Sequence, residues 1–236
     1  MEKSNTSGHT FTAIIPAAGS SRRMQGQNKL LADLAGKPVI IRTLEAIRKD
    51  PRLQNIILVT SRESIELFAD LTKKYKISGI MEIIEGGAQR QDSVYQGIIK
   101  APGSYVAIHD GARPFPTTDM LKTLLDEAPY HDGVIPGIPV TDTVKKVNAD
   151  GFVETTLDRN QIFRIQTPQV FRKDLLLKAY EVIRESNLMV TDDASILELA
   201  GYRVKITKGT EFNIKITTPQ DLVTAEAIFA NLHTDK

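Results

Sequence analysis

An α/β fold, built on a mostly parallel sheet with helices on both faces, is predicted by three observations. Short β-branched runs alternate with longer amphipathic ones over the first half of the chain. The short runs are apolar at nearly every position, as strands buried on both faces are. The length of 236 residues lets one such domain bury a sizeable core without a metal or disulfide.

Thr12-Ala13-Ile14-Ile15, Ile56-Ile57-Leu58-Val59, residues 80–84 and Tyr105-Val106-Ala107-Ile108 read as the buried strands. Between them Ile40, Leu44 and Ile47 recur at helical spacing, as do Ile65, Phe68 and Leu71, and then Val94 and Ile98. Asp92-Ser93 is expected to open one helix and Thr118-Asp119 another. Thr218-Pro219-Gln220-Asp221 joins a cap, a proline in the first turn and an acid in the third position. Gly201 is expected to close the helix that holds Ile196, Leu197 and Leu199. The architecture is Rossmann-like. One segment breaks the rhythm: residues 140–147, the turn Asn148-Ala149-Asp150-Gly151 and residues 152–157 read as a β-hairpin. Its charges and incomplete alternation do not suit a central strand, so 140–157 is expected to project as an arm. Residues 1–10 read as a disordered tail and 11–236 as a single domain.

Composition narrows the function. The formal net charge of +1 is too balanced for a chain whose main partner is nucleic acid or a membrane surface. A phosphate-rich ligand would therefore need a local cluster of cations. Without cysteine there is no thiol nucleophile, thiolate zinc site or disulfide. His9, His109, His131 and His233 lack metal-ligand spacing. No signal peptide or membrane span is visible, so the expected location is cytoplasmic.

The first strand runs into Pro16-Ala17-Ala18-Gly19-Ser20-Ser21-Arg22-Arg23-Met24, with Lys29 beyond. Ligands of open α/β sheets bind past the carboxyl ends of strands, where this loop falls. Its small residues admit a close base or phosphate, and Arg23 and Lys29 add charge. The spacing fits neither a P-loop nor a dinucleotide fingerprint; the bland alternative is a tight βα turn with solvated basic residues. After the third strand, Gly86-Gly87-Ala88-Gln89-Arg90-Gln91-Asp92-Ser93 could equally be a diglycine turn and helix cap. The fourth strand ends at His109-Asp110-Gly111-Ala112-Arg113-Pro114. Asp110 there suits a triphosphate-bound Mg²⁺ or, more simply, a turn cap. His109 reads as a packed strand-end residue and receives no role.

The ordered set of motifs resembles the 2-C-methyl-D-erythritol 4-phosphate cytidylyltransferase family of the non-mevalonate isoprenoid pathway. It consists of Pro-Ala-Ala-Gly-x-x-x-Arg-Met at 16–24, Gly-Gly-x-x-Arg-x-x-Ser-Val at 86–94, His-Asp-Gly-Ala-Arg-Pro at 109–114 and Val-x-Asp-Thr at 140–143. Arg159, Thr-Pro-Gln at 167–169, Thr-Asp-Asp-Ala-Ser at 191–195 and Asn-Ile-Lys at 213–215 complete it. Two departures stand out: Asn28-Lys29-Leu30 replaces a frequent Pro-Lys-Gln, and Ala88 stands where an acid is common.

The resemblance implies attack by a polyol phosphate on the α-phosphorus of CTP. Arg23, Lys29 and Lys215 would be the catalytic cations. Pro16, Ala17, Ala18, Gly19, Gly87, Arg90 and Ser93 would form the nucleotide site, with cytosine held by Ala17, Ala18, Gly87 and Ser93. Asp110, Arg113, Thr143, Arg159, Thr167 and Thr191 would hold the acceptor, and Asp110 would lie beside Mg²⁺. It also implies a homodimer through the 140–157 arm, with Thr143 and Arg159 reaching the partner's site. The alternatives are a ribitol 5-phosphate cytidylyltransferase and a non-catalytic nucleotide-binding regulator.

Overall fold

The computed structural model describes residues 9–18, 28–53, 55–186 and 190–233. In chain order the first half comprises β1 (Phe11–Pro16), β2 (Asp33–Leu34), β3 (Lys37–Pro38), α1 (Val39–Ile47), β4 (Asn55–Thr60), α2 (Ile65–Lys74), β5 (Ile80–Glu85), α3 (Arg90–Lys100) and β6 (Tyr105–Ile108). The second half comprises α4 (Thr118–Glu127), β7 (Gly133–Pro139), β8 (Lys145–Val147), β9 (Val153–Thr156), β10 (Phe163–Ile165), β11 (Gln169–Arg172), α5 (Lys173–Ser186), α6 (Asp193–Leu199), β12 (Val204–Lys208) and α7 (Pro219–His233).

The main sheet runs β10-β7-β11-β6-β1-β4-β5, with β12 also paired to β7. Pairing is parallel from β5 through β4 and β1 to β6, and antiparallel at β11 and β10. The chain moves outward from β1 to β4 and β5, then returns to β6 on the other side of β1. That reversal opens a crevice at the carboxyl ends of β1 and β6.

Strand alternation sends side chains into two cores. Ala13, Ile15, Ile56, Leu58 and Ala107 pack with α1, α4 and Phe68 of α2. Ile14, Ile57, Val59, Val106 and Ile108 pack with α3, α5 and α6. Helices therefore cover both faces, as the sequence predicts.

Several local expectations are corrected. β5 is only half-buried, because it is the sheet margin with β4 as its one partner. α3 begins at Arg90 rather than Asp92-Ser93: Gln89 is its cap, and Asp92 completes a reciprocal capping box. α4 does open at Thr118, as expected, with Thr117 as its cap accepting from the Met120 N–H at 3.2 Å. Of the expected tail, Thr10 accepts a hydrogen bond from the Tyr105 N–H at 3.1 Å; residues 1–8 lie outside the described chain. The hairpin is present as β8 and β9, paired only with each other and exposed along their length. Its first strand covers only Lys145–Val147, since the Val140 N–H still bonds to Ile162 O beside the main sheet. Residues 141–144 carry the chain from sheet to arm, and Gly151 closes the turn with φ +85°.

Candidate active site

Three segments meet over the crevice. The Ala17 N–H donates to Val59 O at 2.6 Å, and the Gly86 N–H donates to Thr60 O at 2.8 Å. These bonds fix the loops after β1 and β5 side by side. The Gly87 N–H donates to Ser93 Oγ at 3.1 Å, so the first turn of α3 braces the diglycine loop. A β-carbon on Gly87 would stand 2.3 Å from Asp92 Cβ, which excludes any side chain there without moving the helix start. Asn28 Oδ1 accepts from the Leu30 N–H at 3.0 Å. This local turn constrains the segment around Lys29 in place of the more usual proline.

Pro16, Ala17, Ala18, Lys29, Gly87 and Ser93 line a cleft of about 440 Å³. Arg113, Thr167 and Thr191 line a second cavity of about 650 Å³, with Gln166, Gln169 and Asp192. Arg90, Asp110 and Lys215 line both and form the seam between them. The 213–217 segment reaches this seam because the Ile216 N–H bonds to Ala112 O at 2.9 Å. Thr167 reaches it because β11 runs antiparallel to β6, with Gln169 opposite Ile108.

Asp110 is 7% exposed and surrounded by cations. Lys215 Nζ lies 2.8 Å from Oδ2, Arg90 Nη2 3.3 Å from Oδ1 and Arg113 Nε 3.5 Å from Oδ2. Burial opposes its ionisation, but Arg90, Lys215 and Arg113 outweigh that and hold the carboxyl well below the usual range. Arg90 also pairs with Asp193 Oδ2 at 2.9 Å. Asp193 is 1% exposed, and its burial raises the carboxyl despite Arg90's attraction. Burial likewise lowers Arg113, partly offset by Asp110.

Lys29 and Lys215, the two described members of the expected catalytic set, thus share one cleft, whereas Arg23 and Gly19 lie outside the described residues. Lys29 is half-buried rather than exposed. Thr143 and Arg159 line neither cavity of the single chain. Both are exposed at the arm, where Arg159 Nη1 donates to Thr141 O at 2.7 Å. Asp193 and Asn213 were given no role by the sequence reading, although both are buried in the ionic and hydrogen-bonded framework of the site. The doubled acid was the available signal for Asp193. Asp192 caps α6 by accepting from the Ser195 N–H, which leaves its neighbour free for Arg90.

Among the described residues no group of three His, Cys, Asp or Glu side chains is placed to hold a metal ion. Asp110 is the one carboxylate lining both cavities. That donor set fits an ion arriving on a triphosphate, which needs only one or two protein carboxylates, and does not fit a resident metal. No described helix is long and apolar enough to cross a membrane.

Comparison with known proteins agrees with this geometry. Residues 11–231 match the family model described as IspD, 2-C-methyl-D-erythritol 4-phosphate cytidylyltransferase. A Bacillus mycoides protein of that name is 42% identical over 228 residues, spanning 96% of this chain and 99% of its own. The crystal structure of 4-diphosphocytidyl-2C-methyl-D-erythritol synthase from Anaerococcus prevotii superposes with a TM-score of 0.85 at 31% identity, covering 95% and 97% of the two chains. The Thermus thermophilus cytidylyltransferase gives 0.76 at 29%, covering 93% and 98%. With the motifs, the paired cavities and these relatives in agreement, the chain belongs to the 2-C-methyl-D-erythritol 4-phosphate cytidylyltransferase family.

Proposed function

We propose that the chain joins CTP and 2-C-methyl-D-erythritol 4-phosphate, giving 4-diphosphocytidyl-2-C-methyl-D-erythritol and pyrophosphate for isoprenoid precursor synthesis. The observation that carries this reading is the seam: two cavities of substrate size share Arg90, Asp110 and Lys215. Cytidine triphosphate occupies the cleft beneath Ala17, Ala18 and Gly87, and the acceptor phosphate occupies the cavity beside Arg113, Thr167 and Thr191. A phosphate oxygen of the acceptor forms a bond to the α-phosphorus while the bond to the β-phosphate oxygen breaks, releasing pyrophosphate. The attacking phosphate is already ionised at neutral pH, so no protein nucleophile or base is needed. Lys29 and Lys215, with Arg23, neutralise charge that grows on the α-phosphate, and the rigid cavities hold the reactants in line. A triphosphate-borne Mg²⁺ would add charge neutralisation, and Asp110 is the residue that would hold it.

The arm supports a two-chain site. Val147, Phe152 and Val153 are 53%, 73% and 59% exposed on it, apolar side chains that a second copy of the chain could cover. A second copy covering it would bring Thr143 and Arg159 toward a neighbouring acceptor cavity, with two-fold symmetry making both sites equivalent. The deciding assay is pyrophosphate release from each of four nucleoside triphosphates with methylerythritol 4-phosphate or ribitol 5-phosphate. CTP with methylerythritol phosphate should be fastest. A preference for ribitol phosphate would overturn the acceptor, and a preference for another triphosphate would overturn the base.

A further inference from the structure

We propose that His109 is a positioning residue for the acceptor half of the site, acting in one neutral tautomer with its proton on Nε2. The role rests on the cytidylyl transfer proposed for this chain.

His109 is fully buried at the end of β6. Its Nε2 lies 2.9 Å from Arg113 O and its Nδ1 lies 3.0 Å from Thr167 Oγ1. A carbonyl oxygen only accepts, so Nε2 must carry the proton. In a neutral ring Nδ1 is then an acceptor, and the Thr167 hydroxyl must donate to it. The same hydroxyl oxygen accepts the Asp110 N–H at 3.1 Å, so its orientation is fixed from both sides.

The chain of bonds continues into a ring. Asn213 Nδ2 donates to Thr167 O at 2.8 Å, and Arg113 Nη1 donates to Asn213 O at 2.7 Å. His109, Thr167, Asn213 and Arg113 therefore close a circuit through the loop after β6, the segment before β11 and the segment before α7. Each of those segments delivers a lining residue: Asp110 and Arg113, Thr167, and Lys215. Arg113 is held at both ends, by its own carbonyl through His109 and by its guanidinium through Asn213. The ring is fully buried and its two nitrogens meet a carbonyl and a hydroxyl rather than a carboxylate, a setting that favours the neutral form.

Two measurements test the role. Long-range ¹⁵N–¹H spectra of the uniformly ¹⁵N-labelled full chain should show one histidine, absent from His109→Gln protein, with its proton on Nε2 and an unprotonated Nδ1. An Nδ1–H tautomer or an imidazolium there overturns the proposal. His109→Gln retains a donor near Arg113 O, and His109→Asn retains an acceptor near Thr167, so each cuts one link. Each should raise KM for the acceptor about tenfold, the change expected for one buried hydrogen bond, with KM for CTP within about twofold. A purely structural histidine would instead lower the folded fraction, reducing Vmax with both KM values unchanged, and that result refutes the role alone. Failure of the wild-type chain to release pyrophosphate from CTP and methylerythritol phosphate refutes the reaction and the role together.

Discussion

Replacing Asp110 by asparagine keeps the side-chain shape but removes the negative charge on which three cations converge. Lys215, Arg90 and Arg113 stand 2.8, 3.3 and 3.5 Å from its oxygens. Breaking a buried ion pair from one side costs about 3–5 kcal/mol. Arg90 and Lys215 side chains are 36% and 38% exposed, so water screens part of that loss. A cost of about 2–3 kcal/mol is the appropriate scale, which lowers Tm by about 4–12 °C for a domain of this size. The same substitution should have an opposite effect on anion binding. In the native chain Asp110 competes with substrate phosphates for the three cations, so without divalent metal Asp110→Asn should bind pyrophosphate about tenfold more tightly. Differential scanning fluorimetry with and without pyrophosphate, and calorimetric titration in a chelator, would measure both effects. Pyrophosphate should raise Tm more in the variant than in the native chain, while turnover falls. Unchanged stability together with unchanged pyrophosphate affinity would show that the ion pairs around Asp110 carry no weight, and the account of the seam would fail.

Gly87→Ala places a methyl 2.3 Å from Asp92 Cβ, so the loop must move; KM for CTP should rise about tenfold or more in a steady-state titration while KM for the acceptor changes little. Lys29→Ala should reduce turnover by at least ~10²-fold, the scale of one lost transition-state donor. If Arg159 serves the partner's site, doubly tagged heterodimers of Lys29→Ala with Arg159→Ala should recover activity that neither homodimer has; no recovery in confirmed heterodimers places Arg159 in its own chain's site. His109, pushed down to about 4 from an ordinary 6.5, stays neutral when the unfolded chain takes up a proton, so stability is lost as pH falls from 6.5 toward 4. That loss is on the order of 3 kcal/mol. His109→Gln should flatten the dependence in urea titrations run across this range, and a slope equal to that of the native chain would refute the assignment.

The parallel half of the sheet was legible because β1, β4 and β6 are buried on both faces, leaving uninterrupted runs such as Ile56-Ile57-Leu58-Val59. β7 and β10 were not legible because their sequences are interrupted or short. Gly133–Pro139 contains two glycines and two prolines, and Phe163–Ile165 is three residues long, so neither carries a usable period. The site divides in the same way. Loops with small residues and a cation were visible as motifs, since their chemistry is local in sequence. Asp193 and Asn213 act through partners 103 and 100 residues away, and no spacing rule encodes such a contact. The start of α3 lies two residues before the expected Asp92-Ser93 because Gln89 is an uncommon cap, whereas α4 opens at Thr118 as the sequence predicts.

The arrangement also explains how a chain with a net charge of +1 can receive two phosphate substrates. Four cations, Lys29, Arg90, Arg113 and Lys215, line the two cavities around the seam. Left unpaired, such a cluster would repel itself and destabilise the free protein. Asp110 and Asp193 act as internal counter-ions, holding Arg90, Arg113 and Lys215 in place before any ligand arrives. These four cations and two carboxylates carry a small local excess of positive charge, whereas a phosphate monoester alone brings about −1.5 to −2 and a triphosphate brings more. The protein groups in the described site therefore cannot balance both substrates by themselves. A triphosphate-borne divalent cation would narrow that gap without requiring a permanent metal cage, which accords with a seam containing one shared carboxylate rather than a cluster. A metal requirement would then belong to the loaded site: chelation should abolish turnover while leaving the Tm of the ligand-free chain unchanged.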